Sequence, residues 1–202
     1  MDLLPQLVSS IHAIKNRMQF MLPMAEAVSQ STDAKTRELG EQIELGLADL
    51  NQQLVSLLGL YKLQSKQGIN LQEVFVSDLF ASVLSYIPES MNVELDCEKD
   101  LQAYFDENML RSVISDALHN AARYADKKIY ISAKKQGSGL LMTVEDDGPG
   151  FGGGNDEKAG TGLGLHFARL VAEAHINKDN SGYITTDNAS RLGGARFSIY
   201  LP

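Results

Sequence analysis

The chain reads as an α+β protein built in two parts: an N-terminal antiparallel helical hairpin, then a mixed sheet carrying helices on one face. Three observations lead there. Apolar residues over the first 60 or so positions recur at alternating intervals of three and four, the signature of helices packed on helices. Beyond Gly68 the pattern changes to short runs such as KIYISAKK and ARFSIYL, which alternate as half-buried strands do. Between two of the later elements lies LMTVEDDGPGFGGGNDEKAGTGLGL (141–165), an apolar strand running through an acidic pair into a glycine-rich stretch that opens a helix.

The hairpin comes first. Leu4, Leu7, Ile11, Ile14, Met18, Met21, Ala25 and Val28 form one unbroken seam, and Pro23 within it, lacking an amide hydrogen, predicts a kink. Ser29 to Asp33 is polar and reads as a turn. A second helix over about 33–66 turns Leu39, Ile43, Leu47, Leu50, Leu54, Leu57, Leu58 and Tyr61 to its buried side. One hairpin alone leaves an apolar stripe in water. Pairing two hairpins into a four-helix bundle buries it, so a homodimer is expected; the alternative is that the hairpin folds back on the rest of its own chain.

Gln67-Gly68 breaks the helical pattern, which divides the chain into a hairpin domain (1–66), a linker (67–71) and a second domain (72–202). In the latter, strands are expected at 72–76, 92–96, 101–105, 128–135, 139–146, 182–187 and 195–200, and helices at 77–87, 107–125 and 162–176. That order gives a mixed sheet with helices on one face.

Composition narrows the function. A hydrophobic fraction of 44% over 202 residues supports a real core, and a formal net charge of −8 argues against a nucleic-acid binder, which would carry a basic stripe. The single cysteine, Cys97, excludes an internal disulfide and fits a reducing compartment. No apolar run approaches the roughly 20 residues that span a bilayer, and the first ten residues lack the basic region of a signal peptide. A cytoplasmic location without a membrane segment in this chain is the expectation.

The chemistry is concentrated in three segments. On the helix 107–125, Asp116, Asn120 and Arg123 lie four and three apart and share one face. An amide oxygen and a carboxylate one turn apart can ligate a hard cation such as Mg²⁺. At the end of a strand, Asp146-Asp147-Gly148-Pro149-Gly150 offers a carboxylate that can accept a hydrogen bond from an exocyclic amine, with Gly148 and Gly150 letting the backbone approach a ligand closely. The stretch 151–159 packs poorly and reads as a mobile lid. Gly160-Thr161-Gly162-Leu163-Gly164-Leu165 then opens a helix, where unpaired amides and the helix dipole favour phosphate. The string is neither a Walker P-loop nor the dinucleotide fingerprint.

The ordered set DALHNAARYA (116–125), DDGPG (146–150), GTGLGL (160–165) and GGARFSIYLP (193–202) resembles the ATP-binding domain of sensor histidine kinases, of the wider gyrase, Hsp90 and MutL class with the Bergerat-type ATP-binding fold. The resemblance covers about 72–202. It implies that Asn120 holds Mg²⁺, that Asp146 recognises adenine, that Arg123 and Tyr124 flank the nucleotide, that Gly148 and Gly150 shape the pocket, and that Gly160, Thr161, Gly162, Leu163 and Gly164 line the lid and phosphates. Lys158 in the lid is a candidate γ-phosphate contact. Asp116 stands where many such kinases carry Asn, and is a candidate for activating a nucleophile. The lid is short and lacks the aromatic-containing box that many of these kinases have.

The hairpin carries a matching feature. Ser10-Ile11-His12-Ala13-Ile14-Lys15-Asn16 resembles the phosphoacceptor box of these kinases, with Ala13 where an acidic residue usually stands and Arg17 where proline does. His-x-x-Lys-Asn-x-x-Gln, ending at Gln19, also resembles a second subgroup. His12 sits off the seam, so its ring is expected at the surface. Imidazole is a competent nucleophile near neutral pH. Asn16, one turn on, could position water to hydrolyse a partner's phospho-aspartate.

The resemblance thus implies a two-component protein histidine kinase core using ATP and Mg²⁺, autophosphorylating His12 and passing the phosphoryl group to an aspartate of a response-regulator receiver domain; Ala13 points to weak autokinase activity. Rival readings are a histidine phosphotransfer or scaffold protein with degenerate kinase activity, and a serine kinase of the anti-sigma-factor type. A gyrase- or MutL-type mechanical ATPase fits least, since no transducer follows Pro202.

Overall fold

A computed structural model describes residues 4–64, 68–85, 87–88, 90–152 and 162–202; the side chains of 4–10, 12, 45, 48–49, 52 and 64 lie outside that description. The chain divides into two compact units, Met1–Tyr61 and Lys62–Pro202.

In the first unit, α1 (Leu4–Ser29) and α2 (Ala34–Gln64) form the expected hairpin. The first helix continues through Pro23. The turn is closed by Asp33, whose carboxylate accepts from the Thr36 amide (2.9 Å) and hydroxyl (2.6 Å), the N-cap arrangement that satisfies an orphan amide of the first turn. Gly40 lies where α2 passes the end of α1, and a methyl there would overlap the backbone of Val28 and Ser29. The hairpin core is one heptad row from each helix: Ile11, Met18 and Ala25 against Leu47 and Leu54, with Leu22 and Leu58 packed beside them. The other row of the seam stays exposed: Ile14 is 47%, Met21 48% and Leu50 51% accessible, and Ile43 and Leu57 are exposed too. This is the apolar stripe that one hairpin alone is expected to leave in water, and Leu39, at 54% accessible, is exposed as well, because two facing helices can each bury only one side of a stripe about 100° wide.

The second unit carries β1 (Gln72–Phe75), α3 (Val76–Leu84), β2 (Asn92–Cys97), β3 (Gln102–Phe105), α4 (Glu107–Tyr124), β4 (Lys128–Gln136), β5 (Gly139–Asp146), α5 (Leu163–Ala174), β6 (Ile176–Asn177), β7 (Asn180–Ser181), β8 (Tyr183–Asp187) and β9 (Arg196–Leu201). The strands do not form one sheet. The main sheet has the order β2-β4-β5-β9-β8, with β2 parallel to β4 and the remaining pairs antiparallel. Strands β1 and β3 pair separately, and β6 with β7 forms a two-residue ribbon too short for sequence periodicity to show.

Helices α3, α4 and α5 supply the apolar side chains that cover the sheet. Their buried residues (Val76, Leu79, Phe80, Val83; Met109, Leu110, Val113, Ile114, Leu118; Phe167, Val171) form the core with Ile129, Ile131, Met142, Val144, Ile199 and Leu201 from the strands. Each fully buried side chain of this size contributes about 1.5–3 kcal/mol. The period-2 alternation puts Leu140, Met142, Val144 and Asp146 of the central strand β5 in one row, paired across to Ile129, Ile131 and Ala133 of β4. The row that makes the core thus ends in a carboxylate. Among the described residues no helix is long and apolar enough to cross a membrane.

Candidate functional site

Asp146 is 6% exposed and sits at the core end of β5. Its Oδ1 accepts from the amides of Gly148 (2.9 Å) and Ala195 (3.1 Å). Its backbone oxygen accepts from the Ser190 hydroxyl (2.9 Å) and the Gly194 amide (3.1 Å). One carboxylate oxygen is thereby fixed by two amide donors, which sets the orientation of the group. Two glycines enforce the geometry. A methyl at Gly148 would overlap the Tyr124 carbonyl at the end of α4, and one at Gly194 would overlap Asp146 itself.

Asp147, its neighbour, has a different task. Its Oδ1 accepts from the amides of Lys127 and Lys128, both at 3.0 Å, binding the start of β4 to the end of β5. Burial acts to raise its pKa, but these amide hydrogen bonds outweigh that and hold it below the ordinary carboxylate value.

Helix α4 starts at the N-cap Asp106 and brings Asp116, Asn120, Arg123 and Tyr124 along one side toward Asp146. Asn120 and Arg123 are exposed, Asp116 and Tyr124 half-buried. The Arg123 guanidinium lies 5.6 Å from the Tyr124 ring centre, a cation–π distance. Helix α5 begins after Gly162, whose φ of 70° is left-handed backbone that suits glycine. Gly164, in its first turn, lies against the Asp116 carboxylate, which a methyl there would overlap. The structure thus brings Asp116 and Gly164 together, and separately joins Tyr124, Gly148 and Asp146. Gly150 (φ 76°) packs on Asn188, whose side chain accepts from the Phe151 amide (2.7 Å) and donates to the Phe151 carbonyl (3.1 Å). The first residue of the expected lid is therefore anchored. The remainder, 153–159, lies outside the described residues, as do Lys158, Gly160 and Thr161.

Asn120 and Asp116 present oxygen donors one turn apart, a set that suits a hard cation. Among the described residues no cluster of three or more His, Cys, Asp and Glu side chains could hold a metal by itself. Such an ion would need further oxygens, which nucleotide phosphates carry.

Sequence reasoning named GGARFSIYLP (193–202) within its motif set but gave the loop 188–195 no place beside Asp146, which it meets through Ser190, Gly194 and Ala195. The Gly193-Gly194 pair was the available signal, but its contact partner lies some 48 residues earlier. In the hairpin, Asn16 is exposed; the His12 side chain lies outside the described residues. Of the other histidines, His166 is exposed, His119 half-buried and His175 fully buried.

The family model for histidine kinase-, DNA gyrase B- and HSP90-like ATPases matches residues 105–202, the span that contains this buried carboxylate and helix α4. Over a wider span the chain is 26% identical to the sensor histidine kinase CpxA of Escherichia coli K12, covering 90% of this chain and 43% of the relative. It is 29% identical to the E. coli sensor protein PhoQ over 56% of this chain and 25% of the relative. It is 25% identical to sporulation kinase B of Bacillus subtilis over 100% of this chain and 50% of the relative. The chain thus spans at most half the length of these curated relatives. Among solved structures, the Acinetobacter baumannii histidine kinase AdeS superposes with a TM-score of 0.61 at 21% identity, covering 96% of this chain and 95% of that one. The cytoplasmic segment of the histidine kinase QseC gives 0.53 at 19% identity, covering 86% and 99%. The ATPase domain here has the mixed five-stranded sheet of histidine kinase catalytic domains, and the matches together support a histidine kinase catalytic core.

Proposed function

We propose that the chain is the core of an ATP-dependent protein histidine kinase of a two-component system. The observation that carries this reading is the buried Asp146 carboxylate, with Oδ1 fixed by the Gly148 and Ala195 amides and Oδ2 left to accept from the exocyclic amine of adenine. Arg123 and Tyr124 flank the nucleotide, while Gly162, Leu163 and Gly164 present the first turn of α5 to its phosphates, with Gly160, Thr161 and Lys158 of the lid completing the enclosure. Asn120, with Asp116 beside it, would hold Mg²⁺, which would supply positive charge to offset that of the phosphates.

The reaction is positioning and charge stabilisation more than covalent work by the protein. A ring nitrogen of His12 attacks the γ-phosphorus in line. The N–P bond forms as the bond to the β,γ-bridging oxygen breaks, ADP leaves with the electron pair, and the imidazole proton passes to solvent or to a base. The phosphoryl group then transfers from nitrogen to a carboxylate oxygen on an aspartate of a response-regulator receiver domain. Asn16 orients water for a separate phosphatase reaction, in which water attacks the phosphorus of the regulator's phospho-aspartate, the bond to the carboxylate oxygen breaks and inorganic phosphate leaves. Without an acidic neighbour at position 13, a base must come from elsewhere, and Asp116 is the candidate; autophosphorylation is accordingly slow.

The kinase acts as a homodimer through the hairpin. What supports this is the exposed row Ile14, Met21, Ile43, Leu50 and Leu57, which repeats at heptad spacing on both helices and lacks cover in a single hairpin. The deciding experiment is incubation with γ-phosphate-labelled ATP. Wild type takes up acid-labile label, whereas His12→Gln and Asn120→Ala take up none. Label that persists in His12→Gln overturns the assignment, and acid-stable label on a partner serine favours the serine-kinase reading.

A further inference from the structure

Away from the nucleotide-facing residues, the second unit contains a buried polar chain that the proposed chemistry does not use. His175 caps the end of α5 and is 3% exposed; Asp106 caps the start of α4 and is 7% exposed. The Asp106 backbone amide donates to His175 Nε2 (3.1 Å), so that nitrogen is unprotonated, and Nδ1 donates to the Val171 carbonyl (2.7 Å). The Asp106 carboxylate is shared. Oδ1 accepts from the Met109 amide (3.1 Å), and Oδ2 accepts from the Asn70 amide (2.9 Å), in the segment that enters the domain just before β1. The Gly182 amide donates to the His175 carbonyl (2.9 Å), bringing in the start of β8.

The placement is specific. Asp116 meets Gly164 at one end of the α4–α5 contact, and Asp106 meets His175 at the other. Ten residues separate the first pair's α4 position from the second's, and eleven separate the α5 positions, so each helix spans about 15 Å between its two ties. The helices run antiparallel and are held at both ends. Packed helices move as rigid bodies, so a shift at His175 reaches Gly164.

We propose that Asp106 and His175 are positioning residues of the nucleotide site: they form a relay that sets α5 against α4 and ties both to the segment entering the domain at Asn70. This rests on the ATP reading for its functional consequence, but the relay itself does not. Protonating Nε2 would set two donors against each other and open the tie. Asp106 is the charged side chain facing the imidazole from α4; Gly182 meets it through backbone alone, and Glu173 on its own helix is exposed.

The test uses the full chain and two readouts. Amide hydrogen exchange is followed at Asn70 and at Leu165–Phe167 in the first turns of α5, and Mg–ADP affinity is measured by calorimetry. His175→Leu removes the acceptor and leaves the Asp106 amide unpaired. It should speed exchange at 165–167 and weaken Mg–ADP by about tenfold. His175→Gln places an amide oxygen near the former Nε2 and should restore both. Asp106→Asn keeps one acceptor for the cap and should free the Asn70 amide selectively, which covers the case in which His175→Leu does not fold. Exchange that changes only beside residue 175, with 165–167 and ADP affinity unmoved, overturns the relay. A wild type that fails to bind Mg–ADP overturns the ATP reading instead, and the exchange data still decide the relay.

Discussion

Two adjacent carboxylates at 146 and 147 differ in what their oxygens face, and that difference assigns their roles. Asp146 has Oδ1 engaged by the Gly148 and Ala195 amides, and the proposed ATP reading gives Oδ2 to the adenine; Asp147 has its acceptors engaged by the Lys127 and Lys128 amides. Asp146→Asn should therefore weaken Mg–ADP binding by tenfold or more, the equivalent of about 1.5–3 kcal/mol for a hydrogen bond to a charged group, with little change in melting temperature. Asp147→Asn should do the reverse, lowering the melting temperature while leaving ADP affinity nearly intact; calorimetry and thermal denaturation separate them. The sequence presented both as one acidic pair, because which oxygen is already engaged depends on amides contributed by other strands. His175 adds a pH dependence. Burial, outweighing the Val171 carbonyl and the Asp106 charge, pushes its pKa below the ordinary value. The unfolded chain then binds the proton more readily than the folded one. The stabilisation is fully present above about pH 6.5 and is lost as pH falls toward the depressed folded value. Urea midpoints measured between pH 5 and 8 should rise with pH in wild type, and that slope should shrink in His175→Gln.

Among the elements, the hairpin separates two kinds of apolar position that the heptad pattern alone treats alike. Leu47 belongs to the row buried between α1 and α2, so Leu47→Ala should destabilise the hairpin by about 2–5 kcal/mol, read from its helical signal on heating. Leu50 and Ile43 belong to the exposed row. Leu50→Glu should leave the hairpin helical and abolish dimerisation, measured by sedimentation; a dimer that survives it would place the interface elsewhere. In the sheet, alternation was enough to locate nearly every strand within a residue or two. It could not reveal that β1 and β3 pair apart from the main sheet, since pairing partners are chosen by contacts distant in sequence. The β6–β7 ribbon, two residues a side, is below the length at which any period can register.

At the scale of the whole molecule, the second unit carries its own core from α3, α4, α5 and the five-stranded sheet. Residues 68–202 expressed alone should fold cooperatively and bind Mg–ADP within about threefold of the full chain, as expected of a domain with its own core; circular dichroism and calorimetry check both. The amino-acid sequence by itself determined the two-part organisation, the helical and strand periods, and the residues able to carry the chemistry, because periodicity, turn chemistry and glycine strings are local properties. The tertiary structure alone decided which of those residues meet. It set the Gly194 and Ala195 amides against Asp146, the Asp116 carboxylate against Gly164, and His175 against Asp106, across separations of tens of residues. The physical reason is that a hydrogen-bond acceptor has few positions, and only the assembled sheet and the helices packed on it determine which distant donor takes each one.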